Sequence, residues 1–157
     1  MRYAAIKEND IANGPGVNVS FWVQGCKNHC KDCQNPETWS FTGGKEFTKD
    51  TLNNLFKALK ANGINRNLSI LGGEPLCPEN IPITKYIIQQ VKEKYPETKI
   101  YLWSGYYYDE LVKNKEIKEE IFPYLDILVD GPYINSQRDI TLKWRGSRNQ
   151  NIIYLKK

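Results

Sequence analysis

The feature that most restricts the fold is a succession of short apolar runs separated by helix-length segments. Val17, Val19, Phe21 and Val23 alternate with Asn18, Ser20, Trp22 and Gln24, the period of two expected of a strand. Residues 68–71, 100–103 and 125–129 are further runs of strand length. Leu52, Leu55, Phe56 and Leu59 recur at helical spacing before Gly63, and Ile83, Ile87, Ile88 and Val91 do so between Pro82 and Pro96. Shorter helical pieces are expected at 109–113 and 116–122, and extended segments at 140–144 and 152–155. Strands joined by crossovers of this length run parallel in an α/β sheet. The loops that follow them then share one carboxyl-end face, where such sheets bind ligands.

Those loops are unusual. The first strand leads into a long polar loop, residues 25–47, and loops of that length without structure of their own are mostly functional or disordered. The others lead into Gly72-Gly73-Glu74-Pro75, Ser104-Gly105-Tyr106 and Asp130-Gly131-Pro132. No apolar run approaches the ~20 residues that span a bilayer, and residues 1–8 carry no secretory pattern. A cytoplasmic protein without membrane contact is expected. In that setting four cysteines read as ligands or catalysts more than as disulfides. The net charge of +4, spread mainly over scattered lysines, does not call for a nucleic-acid partner.

Cys26, Cys30 and Cys33 lie on the long loop with three and two residues between them. Three clustered thiolates suit a soft metal centre. A zinc loop is one reading, although structural zinc wants four closed ligands. The other is a 4Fe–4S cluster with one iron open to an exogenous ligand, since clusters closed by protein alone use four cysteines. Cys77 could be a fourth ligand, a redox thiol or, the commonest fate of a free cysteine, a small buried hydrophobe. His29, the single histidine, could ligate iron or carry a proton, or simply shape the loop around the metal.

The C-x3-C-x2-C spacing resembles the radical S-adenosylmethionine superfamily. The surrounding motifs narrow the resemblance to glycyl-radical activases, in particular those serving anaerobic ribonucleoside-triphosphate reductase. They are, in order, Asn13-Gly14-Pro15-Gly16, Gln24-Gly25-Cys26, Asn35-Pro36-Glu37-Thr38-Trp39, Leu71-Gly72-Gly73-Glu74-Pro75-Leu76, Trp103-Ser104-Gly105-Tyr106, Val129-Asp130-Gly131 and Trp144-Arg145-Gly146-Ser147. The resemblance covers nearly the whole chain. It implies a 4Fe–4S cluster on Cys26, Cys30 and Cys33, with S-adenosylmethionine as the second cofactor. Reductive cleavage of that cofactor would create a glycyl radical on the large subunit of the reductase, with electrons from a low-potential donor such as flavodoxin. No catalytic side chain is implied beyond cluster and cofactor. The implied fold is α/β, a single radical SAM-type domain over residues 1–157 built as a partial, open β/α barrel with mainly parallel strands. The chain is short for a complete barrel, so the reductase would cover the missing side.

For the cofactor, the resemblance implies backbone contacts from Asp32, Cys33 and Gln34, and from Gly72, Gly73 and Glu74, where glycine allows close approach. Many superfamily members carry an aromatic residue where this chain has Asp32. Ser104 could touch the cofactor or cap the next helix. Asp130 could hold a cation or a cofactor hydroxyl, or pair with a lysine. Tyr106, Tyr107 and Tyr108 read as semi-buried packing or a partner surface. Arg138, Lys143, Arg145 and Arg148 make the tail basic, as a solvated or partner-facing surface would be. Two alternatives remain at this point: an activase for another glycyl radical enzyme of the pyruvate formate-lyase type, and a non-catalytic zinc-binding module.

Overall fold

The computed structural model describes residues 2–26 and 36–156. The strands are β1 (Arg2–Asp10), β2 (Asn18–Val23), β3 (Lys45–Glu46), β4 (Asn67–Gly72), β5 (Ile100–Trp103), β6 (Ile127–Asp130) and β7 (Asn151–Tyr154). They form one open sheet in the order β3-β1-β2-β4-β5-β6-β7. Its centre is parallel, with β2 on β4, β4 on β5 and β5 on β6; β1, β3 and β7 add antiparallel edges. The crossovers carry α1 (Lys49–Lys60), α2 (Ile81–Lys94), and the short α3 (Tyr108–Leu111) and α4 (Lys115–Glu120). This is the expected α/β arrangement, with four strand ends on one face.

Helix α1 starts at a reciprocal cap. The Thr48 hydroxyl accepts from the Thr51 amide (3.3 Å) and Thr51 Oγ1 accepts from the Thr48 amide (3.1 Å). Asp50 near its start and Lys57 and Lys60 in its last turn complement the helix dipole. The alternation in β2 sorts its side chains between two layers. Val19, Phe21 and Val23 join Leu68, Ile70, Ile100, Leu102 and Leu128 in a core packed on Leu55, Leu59, Ile87 and Ile88 of the helices. The opposite sheet face carries Ser20, Trp22, Ser69, Leu71, Tyr101, Trp103 and Val129, with Trp22 beside Leu71 and Trp103 beside Val129 in register. The Asn13-Gly14 segment folds over the small polar residues of this face. Its Asn13 carbonyl accepts from Ser69 Oγ (2.6 Å) and Asn18 Nδ2 (3.1 Å), and Gly14, at φ +101°, leaves no room for a Cβ against the Tyr101 ring.

One expectation about the later part of the chain is corrected, and one strand is added. Residues 2–10, given no secondary structure from the sequence, form β1, between β3 and β2. Residues 140–144, expected to be extended and strand-like, make turns and bends instead. Their alternating Ile140, Leu142 and Trp144 face a cavity, not a neighbouring strand, and Trp144 sits at φ +61°, outside any extended conformation. The expected segment at 152–155 is β7, shifted by one residue.

Candidate functional site

The site is assembled at the carboxyl ends of β2, β4, β5 and β6. The two sides of the cysteine loop are held together at its neck. The Gly25 amide donates to the Thr38 carbonyl (2.6 Å) and the Cys26 amide to the Trp39 carbonyl (3.1 Å). The Gly25 carbonyl in turn accepts from the Glu74 amide (2.8 Å) and from Asn80 Nδ2 (3.0 Å). Gly73 donates to the Val23 carbonyl (3.0 Å), and a Cβ on Gly73 would collide with the backbone of Gly25. The close approach that the paired glycines permit is therefore between two loops of this chain. It ties the Gly-Gly-Glu turn to the root of the cysteine loop.

Glu74 extends this tie to the loop after β5. Its side chain is fully enclosed, with Oε2 accepting from the Leu76 amide (2.9 Å) and Ser104 Oγ (2.9 Å), and Oε1 from the Gly105 amide (2.6 Å). Burial outweighs these bonds and pushes the carboxyl up to about 7. The Ser104 hydroxyl also accepts from the Tyr106 amide (3.1 Å), so it organises its own loop and does not cap α3. Asp130, also buried, accepts from the amides of Tyr108 (2.8 Å) and Asn151 (3.1 Å). It fixes the start of α3 and the edge of β7, with no lysine partner among the described residues.

The folded state retains a proton on Glu74 that the unfolded chain releases above the ordinary value of 4.5. Stability therefore falls as pH rises from about 4.5 to about 7 and levels off above, by up to about 3 kcal/mol. Urea unfolding of wild type and Glu74→Gln at pH 5 and pH 7.5 should show this slope only in wild type; equal slopes would remove the buried titration.

Cys26, Gly72, Gly73, Glu74 and Ser104 border one cavity of about 440 Å³. Asp130 is not among its lining residues. Cys30, Cys33, Asp32, Gln34 and His29 lie outside the described residues. Cys77 is fully buried, its thiol 3.3 Å from the Glu74 carbonyl that it donates to, and burial pushes it up to about 12. That environment makes it an inert packing group, not an accessible ligand. Of the tyrosines, Tyr106 and Tyr108 are partly buried against the core, Tyr108 stacked on Phe122, as semi-buried packing predicts.

The sequence reading missed two parts of the site. Asn80 precedes α2 but makes no side-chain cap; its amide nitrogen serves the Gly25 and Glu74 carbonyls instead. Trp22, Trp39, Trp103 and Trp144 all line the cavity. A signal existed for Trp22: a large indole stands in the polar register of its strand, where its Nε1 donates to Ser20 Oγ (3.0 Å).

Comparison with known proteins bears on the chemistry of this cavity. Residues 12–153 match a family described as a 4Fe-4S single cluster domain, which favours iron–sulfur over zinc at the cysteine loop. An anaerobic ribonucleoside-triphosphate reductase-activating protein of Vibrio cholerae is 39% identical over 153 residues, 97% of each chain. The Escherichia coli protein of that name is 34% identical over 157 residues, 99% of this chain and all of its relative. The one from Enterobacteria phage T4 is 35% identical over 154 residues, covering 97% of this chain and 93% of its relative. With its cysteine-loop neck and Gly-Gly-Glu turn meeting at one cavity, the chain belongs to the 4Fe-4S single cluster domain family, among the anaerobic ribonucleoside-triphosphate reductase-activating proteins.

Proposed function

We propose that this chain is a radical S-adenosylmethionine activase that installs the glycyl radical on the large subunit of an anaerobic ribonucleoside-triphosphate reductase. The observation that carries the reading is the convergence of Cys26 with Gly72, Gly73 and Glu74 on one cavity. Its size suits a small cofactor. Backbone polar groups near the loop neck and an apolar floor of Trp22, Leu71 and Trp103 fit a ligand with a charged amino-acid end and a nucleoside. Cys26, Cys30 and Cys33 hold the cluster. Gly72, Gly73 and Glu74 would hold the methionyl end, and Asp32, Cys33 and Gln34 would serve the adenine. When bound, the two cofactors supply a one-electron cleavage of the sulfonium and removal of a hydrogen atom from a glycine Cα.

The chain's own work is positioning. The Glu74 carboxyl, locked between Ser104 and Gly105, keeps the loops after β4 and β5 in register with the neck. Ser104 and Asp130 act through this framework. The tryptophan-lined walls keep water from the reacting centre. The sheet forms a partial barrel of the radical SAM type within a single domain over residues 1–157, and its open side admits a protein substrate. A low-potential donor such as flavodoxin supplies the electron. No helix among the described residues is long and apolar enough to cross a membrane.

The test is the reaction. Reduced, iron-loaded protein with S-adenosylmethionine and the anaerobic reductase should yield methionine and 5′-deoxyadenosine in equal amounts, together with a doublet radical signal on the reductase. Deoxyadenosine without a radical on the reductase would reject the substrate and keep the superfamily; neither product would reject both. A radical formed only on a pyruvate formate-lyase-type enzyme would reassign the partner.

A further inference from the structure

Residues 133–150, the strap between β6 and β7, supply much of one side of the cavity lining. The strap is pinned where it meets the site. Trp103 Nε1 donates to the Trp144 carbonyl (2.6 Å), Asn149 Nδ2 to the Pro132 carbonyl (2.8 Å) and Gln150 Nε2 to the Gly131 carbonyl (3.0 Å). Within it, the Arg148 amide donates to the Gln137 carbonyl (2.9 Å), and Gln150 Oε1 accepts from the amides of Gly146 (3.0 Å) and Ser147 (3.1 Å). An irregular segment held this firmly is a built surface, and a non-glycine residue in the left-handed region at Trp144 is the kind of strain that collects at functional sites.

The strap also concentrates charge. It carries Arg138, Lys143, Arg145 and Arg148 against Asp139 alone, three of the four net positive charges of the whole chain. None of the ion pairs between described residues, which join Lys60 to Glu97 and Lys85 to Glu116 and Glu120, takes a strap cation. Arg138 and Arg145 line the cavity. Lys143 and Arg148 are exposed and outside the lining, while Ile140, one of the lining residues, is 84% exposed. A strap that joins an excess of cations to an exposed apolar side chain at the cavity that a protein substrate must reach is a surface for an acidic protein partner.

We propose that the strap is the docking surface for the reductase, its exposed cations meeting acidic side chains that flank the glycine-bearing segment and holding that segment at the cavity mouth. The inference rests on the activase reading, since it names where that partner binds. It assigns the strap to recognition, separate from the groups that hold the cofactors.

The experiment uses the full iron-loaded chain with Lys143→Glu and Arg148→Glu combined. A control of equal charge change, Lys57→Glu with Lys118→Glu, alters exposed positions on the helical side of the sheet. Binding to the reductase is followed by surface plasmon resonance over a range of salt, and deoxyadenosine release is measured without the reductase. The strap variant should bind at least about 10-fold more weakly and with a shallower salt dependence, keeping its iron and its reductase-independent cofactor cleavage. The control should bind as wild type does. Equal affinity of the strap variant and wild type overturns the inference alone. Equal weakening of strap and control variants also overturns it, because net charge would then suffice. Unchanged reductase binding with lost retention on duplex DNA overturns it in favour of nucleic acid. Wild-type protein that does not bind the reductase at all takes the activase reading down with it.

Discussion

Anaerobically prepared Cys26→Ala, Cys30→Ala and Cys33→Ala proteins should each lose the cluster, with iron falling from four per chain toward none and the visible absorbance lost with it. Removing one of three protein thiolates leaves a cube with two irons that the chain does not hold. The three positions share a loop whose neck is fixed by the backbone bonds of Gly25 and Cys26, so the loss follows from the ligand and not from collapse of the loop root. Cys77→Ser is the matching control. Its side chain is enclosed and points a weak donor at the Glu74 carbonyl, a role a hydroxyl can fill, and its iron should stay at the wild-type level. Iron retained by Cys30→Ala and absent from Cys77→Ser would reverse the ligand assignment.

Gly73→Val should be nearly as damaging, for a different reason. A Cβ at this position has no space against the Gly25 backbone, and backbone cannot give way as a flexible side chain could. The Gly-Gly-Glu turn would have to lift from the loop neck, breaking the bonds from the Glu74 amide and Asn80 Nδ2 to the Gly25 carbonyl. Losing one or two such bonds at about 1 kcal/mol each weakens cofactor binding by about 10-fold or more, and it also shifts Cys26. Titration of S-adenosylmethionine into reduced protein, followed by electron paramagnetic resonance of the cluster, measures the first effect; iron uptake during reconstitution measures the second. Wild-type behaviour in both would reduce the segment to an ordinary turn.

The sheet was legible because its central strands obey a period of two and are separated by segments with clear helix stops. Once Val19, Phe21 and Val23 are assigned to one layer, the placement of the four loops on one face follows. Strand β1, Arg2–Asp10, was not legible. It mixes charged and apolar residues, pairs on its outer side over only Arg2 and Tyr3, and carries two irregularities against β2, so it lacks a sustained alternation. The strap shows the opposite failure. Ile140, Leu142 and Trp144 alternate as a strand would, but a period of two only says that alternate side chains share a face, and here that face belongs to a cavity. Glu74 was marked as a site residue, yet its role depends on Ser104 and Gly105, some 30 residues along the chain, and no local pattern encodes such a contact. Cys77, with three readings open in sequence, is decided by burial.

The placement of the indoles has a spectroscopic consequence. Every tryptophan of the chain lines the one cavity, while the layer between the sheet and its long helices is built from aliphatic residues, phenylalanine and tyrosine. Intrinsic emission excited at the red edge is therefore a built-in reporter of what happens at the mouth of the sheet, and it is nearly blind to the helical side. A cluster or nucleoside arriving in the cavity would quench it through short-range energy and electron transfer, with no label attached. The same asymmetry makes emission a poor gauge of global unfolding, since a melted mouth over an intact helical layer would register as complete denaturation while the far-ultraviolet dichroism had scarcely moved.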